Sequence, residues 1–492
     1  MRRTIRFLRR GQVIELGDIG PTEMLLDHLR LREGLCGTKE ACAEGDCGAC
    51  TVALGRMIEG RLVYEPVNSC ILLTGMVDAK EVVAVDDLAP DGALHPVQQA
   101  MVDFHGSQCG FCTPGFVMSL FALYQSGTQP DRRTVTDWLA GNLCRCTGYR
   151  PIVDAALASC DGRPADSHAR NAATTAAALA GLGDSEDVFV GVVQRFFAAP
   201  ASLESLAKLY LAHADATLVA GATDVGLWVT KQLRDLPKII HVGRVAGFNA
   251  VREEAGALLI GAGATYAQVE PRLAALDPDL AELIRRLGSK QVRALGTIGG
   301  NIANGSPVGD TPPVLIALGA TIELRRGGEV RTVPLESFFI AYGEQDLRPG
   351  EFVQSVRIPK LAAGQHLRCY KISKRFDQDI SALLGAFRFT VENATIASAR
   401  IAYGGMAATP KRALATESAL AGARLGEEPS WVDAVAALER DFAPISDLRA
   451  SAGYRIETAR ALLVKALREV SGAPAHATRV VGMREARFEP AA

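Results

Sequence analysis

Residues 35–52 read LCGTKEACAEGDCGACTV, and three of the four cysteines in this stretch, Cys42, Cys47 and Cys50, have a C-x4-C-x2-C spacing. Another cysteine, Cys70, follows downstream. Plant-type ferredoxins use this C-x4-C-x2-C…C pattern to bind a [2Fe–2S] cluster. Four thiolates also suit zinc, but zinc sites usually consist of two C-x2–4-C pairs. The spacing therefore favours an iron–sulfur cluster and leaves zinc as the alternative.

A second group of four cysteines follows within the first 150 residues. Cys109 and Cys112 form a C-x2-C pair, and Cys144 and Cys146 form a C-x-C pair. By itself this spacing is compatible with zinc and with iron–sulfur. Its position after the first cysteine stretch, in a segment with helical periodicity, favours a second iron–sulfur site. Two tetrathiolate sites on one chain suggest two metal centres that exchange electrons.

The composition indicates the compartment. Cys36, Cys160 and Cys369 are isolated and show no disulfide framework, which is typical of a reducing environment. The basic N-terminus lacks the apolar core of a secretory signal, and no apolar run is long enough for a membrane span. With 53 basic and 55 acidic residues, the chain has no basic footprint for nucleic acid. We expect a cytoplasmic protein that binds neither membrane nor nucleic acid.

The hydrophobic periodicity changes along the chain and predicts a multidomain α+β protein. Strand-like alternation surrounds the first cysteine group, whereas apolar residues recur at helical spacing around the second. A stretch rich in Ala, Asp, Ser and Gly has no sustained strand pattern and is predicted to be a linker. The segments are 1–85 (ferredoxin-like), 86–160 (four helices), 161–189 (linker), 190–365 (α+β with glycine-rich loops), 366–475 (closing α+β domain) and 476–492 (tail).

Two glycine-rich loops are candidates for binding a flavin, the cofactor that can exchange one and two electrons at the end of an electron-transfer chain. The loop at 218–224 follows a predicted strand, and the loop at 297–301 precedes Asp310. Glycine with hydroxyl or amide side chains can surround an anion with donors. The Gly-Ala-Gly at 261–263 fails as a dinucleotide fingerprint because Tyr266 occupies the third glycine position. Ordinary turns in a glycine-rich protein are the alternative for both loops.

Five motifs occur along the chain in a characteristic order. They are LCGTKEACAEGDCGACTV at 35–52, QCGFCTPGF at 108–116, NLCRCTGYRPI at 142–152, LVAGATDVGL at 218–227 and GTIGGNIANGSPVGD at 296–310. This set resembles the iron–sulfur and FAD-binding portions of the xanthine dehydrogenase family of molybdenum hydroxylases, most weakly in the linker and after residue 410. The resemblance implies a ferredoxin-like β-grasp domain, a four-helix [2Fe–2S] domain, a two-part α+β FAD-binding domain of the vanillyl-alcohol-oxidase type and a C-terminal α+β domain.

The resemblance also implies which residues bind each cofactor. One [2Fe–2S] cluster is assigned to Cys42, Cys47, Cys50 and Cys70, and the other to Cys109, Cys112, Cys144 and Cys146. The residues implied for FAD are Leu218, Val219, Ala220, Gly221, Ala222, Thr223, Asp224, Val225, Leu287, Thr297, Ile298, Gly299, Gly300, Asn301, Asp310, Val353 and Lys371. The resemblance places Phe352 near the isoalloxazine ring, and Gln108 and Cys146 at the pterin of a partner chain. Leu287 stands where relatives have an aromatic residue, and Ala41 where glycine is usual.

The implied function is electron transfer. No molybdenum-binding portion is found in the chain, so we expect substrate hydroxylation, and its catalytic residues, on a large molybdopterin-binding partner in a heterotetramer. The partner would oxidise hypoxanthine and xanthine to urate, and electrons would pass through both clusters and FAD to NAD⁺. The charged loop at 371–380 would tune the flavin potential or acceptor access. The alternatives are the same role in an aldehyde or N-heterocycle hydroxylase, and a zinc-stabilised binding protein without redox activity.

Overall fold

The computed structural model of the chain describes residues 1–90 and 92–479. It contains two compact units, one of Met1–Ala246 with Gly288–Gly296, and one of Gly247–Leu287 with the chain from Thr297 onward. The predicted multidomain α+β class is confirmed. The segment 288–296 belongs to the first unit although the sequence on both sides of it belongs to the second.

The first sheet of unit 1 surrounds the first cysteine stretch. Its strands are β1 (Ile5–Arg9), β2 (Gln12–Leu16), β3 (Thr51–Ile58), β4 (Arg61–Asn68) and β5 (Glu81–Val83), in the order β2-β1-β5-β3-β4. A short helix, α1 (Leu25–Asp27), continues into a π-helical turn before the cysteines. Ile5 and Phe7 on β1, and Val52 and Leu54 on β3, alternate along their strands and are buried in one core. Ala53, between them on β3, is buried in a second core, so this strand is covered on both faces.

Four helices follow, as predicted. They are α2 (Pro96–Asp103), α3 (Thr113–Gln125), α4 (Arg132–Leu139) and α5 (Arg150–Cys160). Pro114 and Pro151 lie in the first turns of α3 and α5, where the missing N–H would have no helical partner anyway. Helix α3 is the centre of this group, because every residue from Gly115 to Tyr124 is buried. Helix α3 begins immediately after Cys112, and helix α5 begins a few residues after Cys146.

The segment 161–189, predicted to be a linker, includes regular structure. It contains helix α6 (Ser167–Leu182), which begins where the Asp166 carboxylate accepts a hydrogen bond from the Ala169 N–H at 2.6 Å. Leu179 and Leu182 bury their side chains against Leu8. The stretch is rich in alanine, the strongest helix former, and that propensity outweighs its lack of an obvious apolar face.

The second sheet of unit 1 positions the first glycine-rich loop. Its strands are β6 (Val188–Val192), β7 (Arg195–Ala199), β8 (Thr217–Val219) and β9 (Lys238–His241), in the order β6-β7-β9-β8. The helices of this part are α7 (Leu203–Ala212), α8 (Val225–Thr230) and, from the segment 288–296, α11 (Lys290–Leu295). Strands β7, β9 and β8 are parallel. The loop after β8 therefore lies at the carboxyl end of a parallel strand, where open α/β sheets bind ligands.

The first strands of unit 2 are β10 (Val251–Glu254), β11 (Ala257–Gly261), β12 (Thr321–Arg326), β13 (Glu329–Pro334), β14 (Phe339–Ala341), β15 (Glu344–Gln345) and β16 (Glu351–Pro359). They form an antiparallel sheet of order β10-β11-β16-β12-β13 and a separate hairpin, β14-β15. The accompanying helices are α9 (Tyr266–Leu276), α10 (Pro278–Arg285), α12 (Ile298–Asn304) and α13 (Thr311–Leu318). The second glycine-rich loop leads directly into α12.

A closing α+β part completes unit 2. Its antiparallel strands are β17 (Gln365–Ile372), β18 (Leu383–Glu392), β19 (Thr395–Gly404) and β20 (Lys411–Arg412), and its helices are α14 (Leu414–Leu420), α15 (Val432–Asp441), α16 (Ala452–Val470) and α17 (Ala475–Thr478). Phe387 and Tyr403 from the sheet and Leu463 from α16 are buried in one core. Most of the predicted tail, 480–492, lies outside the described residues. Along 1–90 and 92–479, none of the helices combines the length and the apolar character needed to cross a bilayer.

A buried ion cluster fixes the N-terminus within unit 1. The Asp78 carboxylate accepts hydrogen bonds from two Arg2 guanidinium nitrogens, both at 2.8 Å, and from the Arg6 backbone N–H at 2.6 Å. Arg244 also contacts Asp78, and Arg2 and Arg244 both pair with Asp184. Burial acts to raise the pKa of Asp78, but the two arginines outweigh it and hold that pKa below its ordinary value.

Replacing Asp78 with Asn should lower the free energy of unfolding by about 3 kcal/mol, because it leaves buried guanidinium groups without their carboxylate. Chemical denaturation followed by circular dichroism measures this. The matched control is Asp215→Asn, which breaks an exposed pair with Lys238 and should change stability little. Equal effects of the two substitutions would contradict the assignment of the Asp78 cluster as a buried anchor.

The same cluster predicts a pH dependence. The folded pKa of Asp78 lies below the unfolded value of about 4, so its stabilising contribution is complete above that value and disappears as the pH falls through the folded pKa. The loss of stability on acidification should therefore be smaller in Asp78→Asn than in the unmodified chain. Parallel pH profiles for the two proteins would show that Asp78 is not responsible.

Candidate functional site

The first cysteine group converges as its spacing predicts. The thiols of Cys50 and Cys70 lie 3.2 Å apart, and the Cys42 thiol is within hydrogen-bonding distance of the Cys47 and Cys70 thiols. The Cys47 backbone N–H donates to the Cys42 sulfur at 3.4 Å. Hydrogen bonds from the Cys47 and Cys70 thiols and from this N–H lower the pKa of Cys42. Four thiols and an N–H···S bond form a donor set suited to a [2Fe–2S] cluster.

The loop between these cysteines curls through left-handed backbone conformations. Gly45 and Gly48 have φ of +76° and +70°, which glycine adopts without a Cβ penalty, and Ala43 has φ of +52°. A Cβ on Gly45 would lie 2.5 Å from the Ile71 side chain. The Gly45 carbonyl accepts a hydrogen bond from the Asn68 amide at 2.7 Å, which fixes the loop to the end of β4.

The second cysteine group forms two pairs. The Cys112 thiol lies beside that of Cys144, and the Cys109 thiol beside that of Cys146. The Cys144 sulfur also receives the Thr147 backbone N–H at 3.4 Å. Burial and the neighbouring Cys144 thiol raise the pKa of Cys112 to about 12. Each pair joins one cysteine from the 109–112 turn to one from the 144–146 turn, so the two sequence pairs contribute jointly to one site.

The two groups differ in exposure. Cys50 and Cys70 are buried, whereas Cys109 and Cys146 are exposed, as is Gln108. Across 1–90 and 92–479, no three His, Cys, Asp or Glu side chains form a ready-made site for a metal ion. The features that favour iron–sulfur clusters are therefore the cysteine spacings, the contacting thiols and the N–H donors of both loops.

The two cysteine loops touch each other directly. The Leu143 backbone N–H, next to Cys144, donates to the Cys47 carbonyl at 3.0 Å. The Asn142 side-chain amide donates to the Gly48 carbonyl at 3.1 Å. Sequence spacing gave no signal for these bonds, because they join residues more than ninety positions apart. Within unit 1, one backbone hydrogen bond and one side-chain hydrogen bond therefore join the loop that carries Cys47 to the loop that carries Cys144.

The first glycine-rich loop has the donors that a phosphate needs. Gly221 is packed so closely that an added Cβ would lie 2.0 Å from the Leu295 carbonyl oxygen, and Ala222 has φ of +58°. Among the described residues, no protein acceptor takes the backbone N–H of Ala222, Thr223 or Asp224. Free N–H groups between the end of β8 and the start of α8 form a cradle for an anion. This loop fits the pyrophosphate of FAD.

The second glycine-rich loop is built differently. The N–H groups of Ile298 and Gly299 donate to the Ala264 and Ala262 carbonyls, at 3.1 and 3.0 Å. The next two N–H groups, of Gly300 and Asn301, bond to Thr297. Among the described residues, the backbone N–H groups of 298–301 are therefore all bonded within the protein. A Cβ on Gly299 would lie 2.3 Å from that of Ala262, so glycine here permits close packing against the 261–263 turn.

Asp310 and Lys371, both implied by the family resemblance, form a buried ion pair. The Lys371 Nζ lies 2.6 Å from Asp310 Oδ2, and Ser381 Oγ donates to Asp310 Oδ1 at 2.5 Å. Lys371 Nζ also donates to the carbonyl of Arg286 at 3.0 Å. Both charged side chains are over nine-tenths buried. A buried ion pair with these extra hydrogen bonds is rigid, so it can hold a polar ligand group in a fixed position.

The charged loop at 371–380 is held by arginines from the end of α10. Arg286 donates to the carbonyls of Lys371 and Phe376, at 3.1 and 3.2 Å, and to Ser373 Oγ at 3.1 Å. The guanidinium groups of Arg285 and Arg286 lie 5.0 and 4.5 Å from the centre of the Phe376 ring. The loop is thus anchored at its base, while the Phe376 side chain remains exposed.

The remaining residues implied for FAD are apolar and buried. Leu287 follows Arg286, and Phe352 and Val353 lie on β16. The Phe352 ring packs at 6.2 Å from that of Phe248. The residues near these sites to which the sequence assigns no cofactor are Asn142, Ala262, Ala264, Arg286, Gln291 and Ser381.

Three family models match consecutive parts of the chain. A "[2Fe-2S] binding domain" matches residues 84–157, a "FAD binding domain in molybdopterin dehydrogenase" matches 192–361, and a "CO dehydrogenase flavoprotein C-terminal domain" matches 368–470. The range 84–157 contains the second cysteine group, Cys109 to Cys146. The first cysteine group, Cys42 to Cys70, precedes residue 84.

Curated relatives include xanthine dehydrogenases. That of Drosophila subobscura is 32% identical over 461 residues, covering 82% of this chain and 34% of the relative. That of Emericella nidulans is 30% identical over 498 residues, covering 89% of this chain and 36% of the relative. The chain thus spans about a third of the length of these relatives.

Solved structures give a similar result. Carbon monoxide dehydrogenase from Hydrogenophaga pseudoflava is 30% identical with a TM-score of 0.53, covering 56% of this chain and 98% of the matched one. Quinoline 2-oxidoreductase from Pseudomonas putida 86, at 24% identity and a TM-score of 0.52, shares the fold. Because the three models cover consecutive parts of the chain and a carbon monoxide dehydrogenase chain is matched over nearly its full length, this chain belongs to the molybdenum hydroxylase family and carries that family's [2Fe–2S]-binding and FAD-binding portions.

Proposed function

We propose that this chain is the electron-transfer subunit of a xanthine dehydrogenase. It passes electrons from a molybdopterin-binding partner through two [2Fe–2S] clusters and FAD to NAD⁺, while hypoxanthine and xanthine are oxidised to urate. The observation that carries the proposal is the direct contact between two converging four-cysteine loops within one compact unit. The curated relatives named xanthine dehydrogenase support the choice of substrate.

The chain's own residues have defined roles in this proposal. Each group of four thiolates holds one cluster, and the loop N–H groups at Cys47 and Thr147 stabilise the thiolate sulfurs. The free N–H groups of 222–224 bind the FAD pyrophosphate, and the Asp310–Lys371 pair orients a polar part of the flavin. When bound, the clusters carry single electrons and the flavin exchanges one or two. The protein supplies position and electrostatic environment.

The partner is a large molybdopterin-binding chain, and the assembly is a cytoplasmic heterotetramer. Gln108 and Cys146 are exposed, so both are available for contact with this partner. Hydroxylation of the substrate takes place on the partner, which supplies the catalytic residues for that step.

A second candidate keeps the electron-transfer role with another substrate, such as an aldehyde or an N-heterocycle. The structural similarity to a carbon monoxide dehydrogenase chain supports this candidate, because it shows that an enzyme with a substrate other than xanthine has a chain of the same fold. The partner selects the substrate in either case, so turnover by the assembled complex distinguishes the candidates.

Affinity purification of the full-length chain from its own cells should recover a large chain that contains molybdenum. The complex should reduce NAD⁺ when xanthine is added. Turnover of an aldehyde or an N-heterocycle with no purine turnover would support the second candidate. A folded, colourless chain that contains zinc would overturn both, since iron–sulfur clusters and flavin absorb visible light.

Replacing Cys146 with Ser should alter one of the two EPR signals of the reduced chain and leave the other unchanged, because this thiol pairs with Cys109 and not with the first cysteine group. Cys36→Ser is the control, since this exposed cysteine belongs to neither group. Changes in both signals from Cys146→Ser would show that the eight ligands are grouped incorrectly.

Replacing Asp310 with Asn should lower the ratio of bound FAD to protein, because Lys371 then loses the charge that holds it. Absorbance of flavin released from the purified chain gives the ratio. Glu253→Gln is the matched control, since it makes the same chemical change at an exposed pair with Lys360 in the same unit. Full flavin content in Asp310→Asn would remove this pair from the proposed FAD site.

A further inference from the structure

We infer that Gln291 is a positioning residue that holds the two cysteine loops at a fixed separation for electron transfer between them. The inference deepens the proposed function and rests on it. Gln291 lies on α11, in the range matched by the FAD-binding model, yet its helix packs within unit 1 among the cysteine-bearing parts. Neither its type nor its spacing marks it as functional in the sequence.

The Gln291 amide nitrogen bonds to residues that carry both loops. It lies 3.0 Å from Asn142 Oδ1, 3.2 Å from Ser119 Oγ and 3.3 Å from Thr51 Oγ1. Thr51 directly follows Cys50, and Asn142 comes two residues before Cys144. One side chain thus contacts the first cysteine loop and the second at the same time.

Asn142 transmits this contact to the place where the loops meet. Its Oδ1 accepts hydrogen bonds from Gln291 and from Ser119, the latter at 2.6 Å. Its amide nitrogen donates to the Gly48 carbonyl at 3.1 Å, within the Cys47–Cys50 turn. Because both ends of the Asn142 side chain are bonded, its orientation is fixed. The adjacent Leu143 N–H is thereby held against the Cys47 carbonyl.

The helix that carries Gln291 is anchored from both sides. Arg56 on β3 donates to the Ala294 carbonyl at 3.2 Å. The Lys290 ammonium lies 5.0 Å from the centre of the Trp138 ring on α4. Gln291 itself has no exposed surface, and a Cβ on Gly141 would lie 2.0 Å from its Oε1. The side chain therefore has no room for another position.

The Gln291 carbonyl oxygen indicates that the residue is not there for stability alone. Among the described residues this buried oxygen has no hydrogen-bond partner. A buried acceptor without a donor costs free energy, whereas an apolar side chain of similar size avoids that cost. A leucine would fill the same space without a buried oxygen that lacks a donor. Gln291 therefore contributes the hydrogen bonds of its amide nitrogen to both cysteine loops.

The test uses Gln291→Leu in the full-length chain with its clusters bound. Two reduced [2Fe–2S] clusters interact magnetically, and the splitting of their EPR lines depends on their separation and orientation. We expect full iron content and unchanged g values for each cluster, together with an altered splitting. Hydrogen exchange of the peptide containing Leu143 should be several-fold faster, because its N–H loses the support of Asn142. This second measurement does not depend on activity.

The matched control is Gln125→Leu, which removes an amide bonded to Asp166 in the same unit and should change neither measurement. Ser119→Ala, which removes one partner of Gln291, should shift both measurements in the same direction as Gln291→Leu, by less. Splitting and exchange equal to those of the unmodified chain in Gln291→Leu would overturn the inference. If Gln291→Leu does not assemble, the same result in Ser119→Ala overturns it. Absence of both iron–sulfur signals from the unmodified chain would instead overturn the proposed function.

Discussion

The close approach of the two cysteine loops at glycine residues is the constraint on which the proposed electron-transfer site depends. A Cβ on Gly48 would lie 2.1 Å from the Gly141 carbonyl oxygen, and a Cβ on Gly115 would lie 2.1 Å from the Gly48 carbonyl oxygen. At these distances any side chain would force the backbones apart. The Gly48 carbonyl accepts hydrogen bonds from Asn142 and from Thr51, so the approach is fixed by bonds as well as by shape. The relative position of the two candidate cluster sites therefore depends on this close backbone contact together with the side-chain hydrogen bonds around it.

The segment 288–296 extends this constraint toward the flavin loop of unit 1. Gln291 on this segment contacts both cysteine loops, and Leu295, one turn later, packs its carbonyl against Gly221. The same short helix thus touches the first glycine-rich loop and the junction of the cysteine loops. Unit 2 contains the buried Asp310–Lys371 pair, which is bonded to Ser381 and to the Arg286 carbonyl. Charge attraction and these hydrogen bonds hold the pair in one position.

Local sequence signals predicted the elements well and the long-range contacts poorly. The spacing of the cysteines predicted both groups of four, the first from the C-x4-C-x2-C pattern with a distant fourth cysteine and the second from two short pairs. Helical periodicity predicted the four helices around the second cysteine group, and strand-like alternation predicted strands around the first, whereas many of the later strands were not predicted. The helix at 167–182 was missed, since its alanines carry propensity without a wide apolar face. Gln291 and Asn142 are 149 positions apart, and no local pattern connects them. The close packing of Gly299 against Ala262 is another contact that the composition of the loop at 297–301 does not reveal.

Eight thiolates of this chain are proposed to hold two separate two-iron clusters. Iron, acid-labile sulfide and zinc should be determined on the purified full-length chain. We expect about four irons and about four sulfides per chain, two of each for every cluster, with zinc absent. A folded chain with one or two zinc ions and no sulfide would rule out both clusters, because zinc binds thiolates without inorganic sulfide and transfers no electrons.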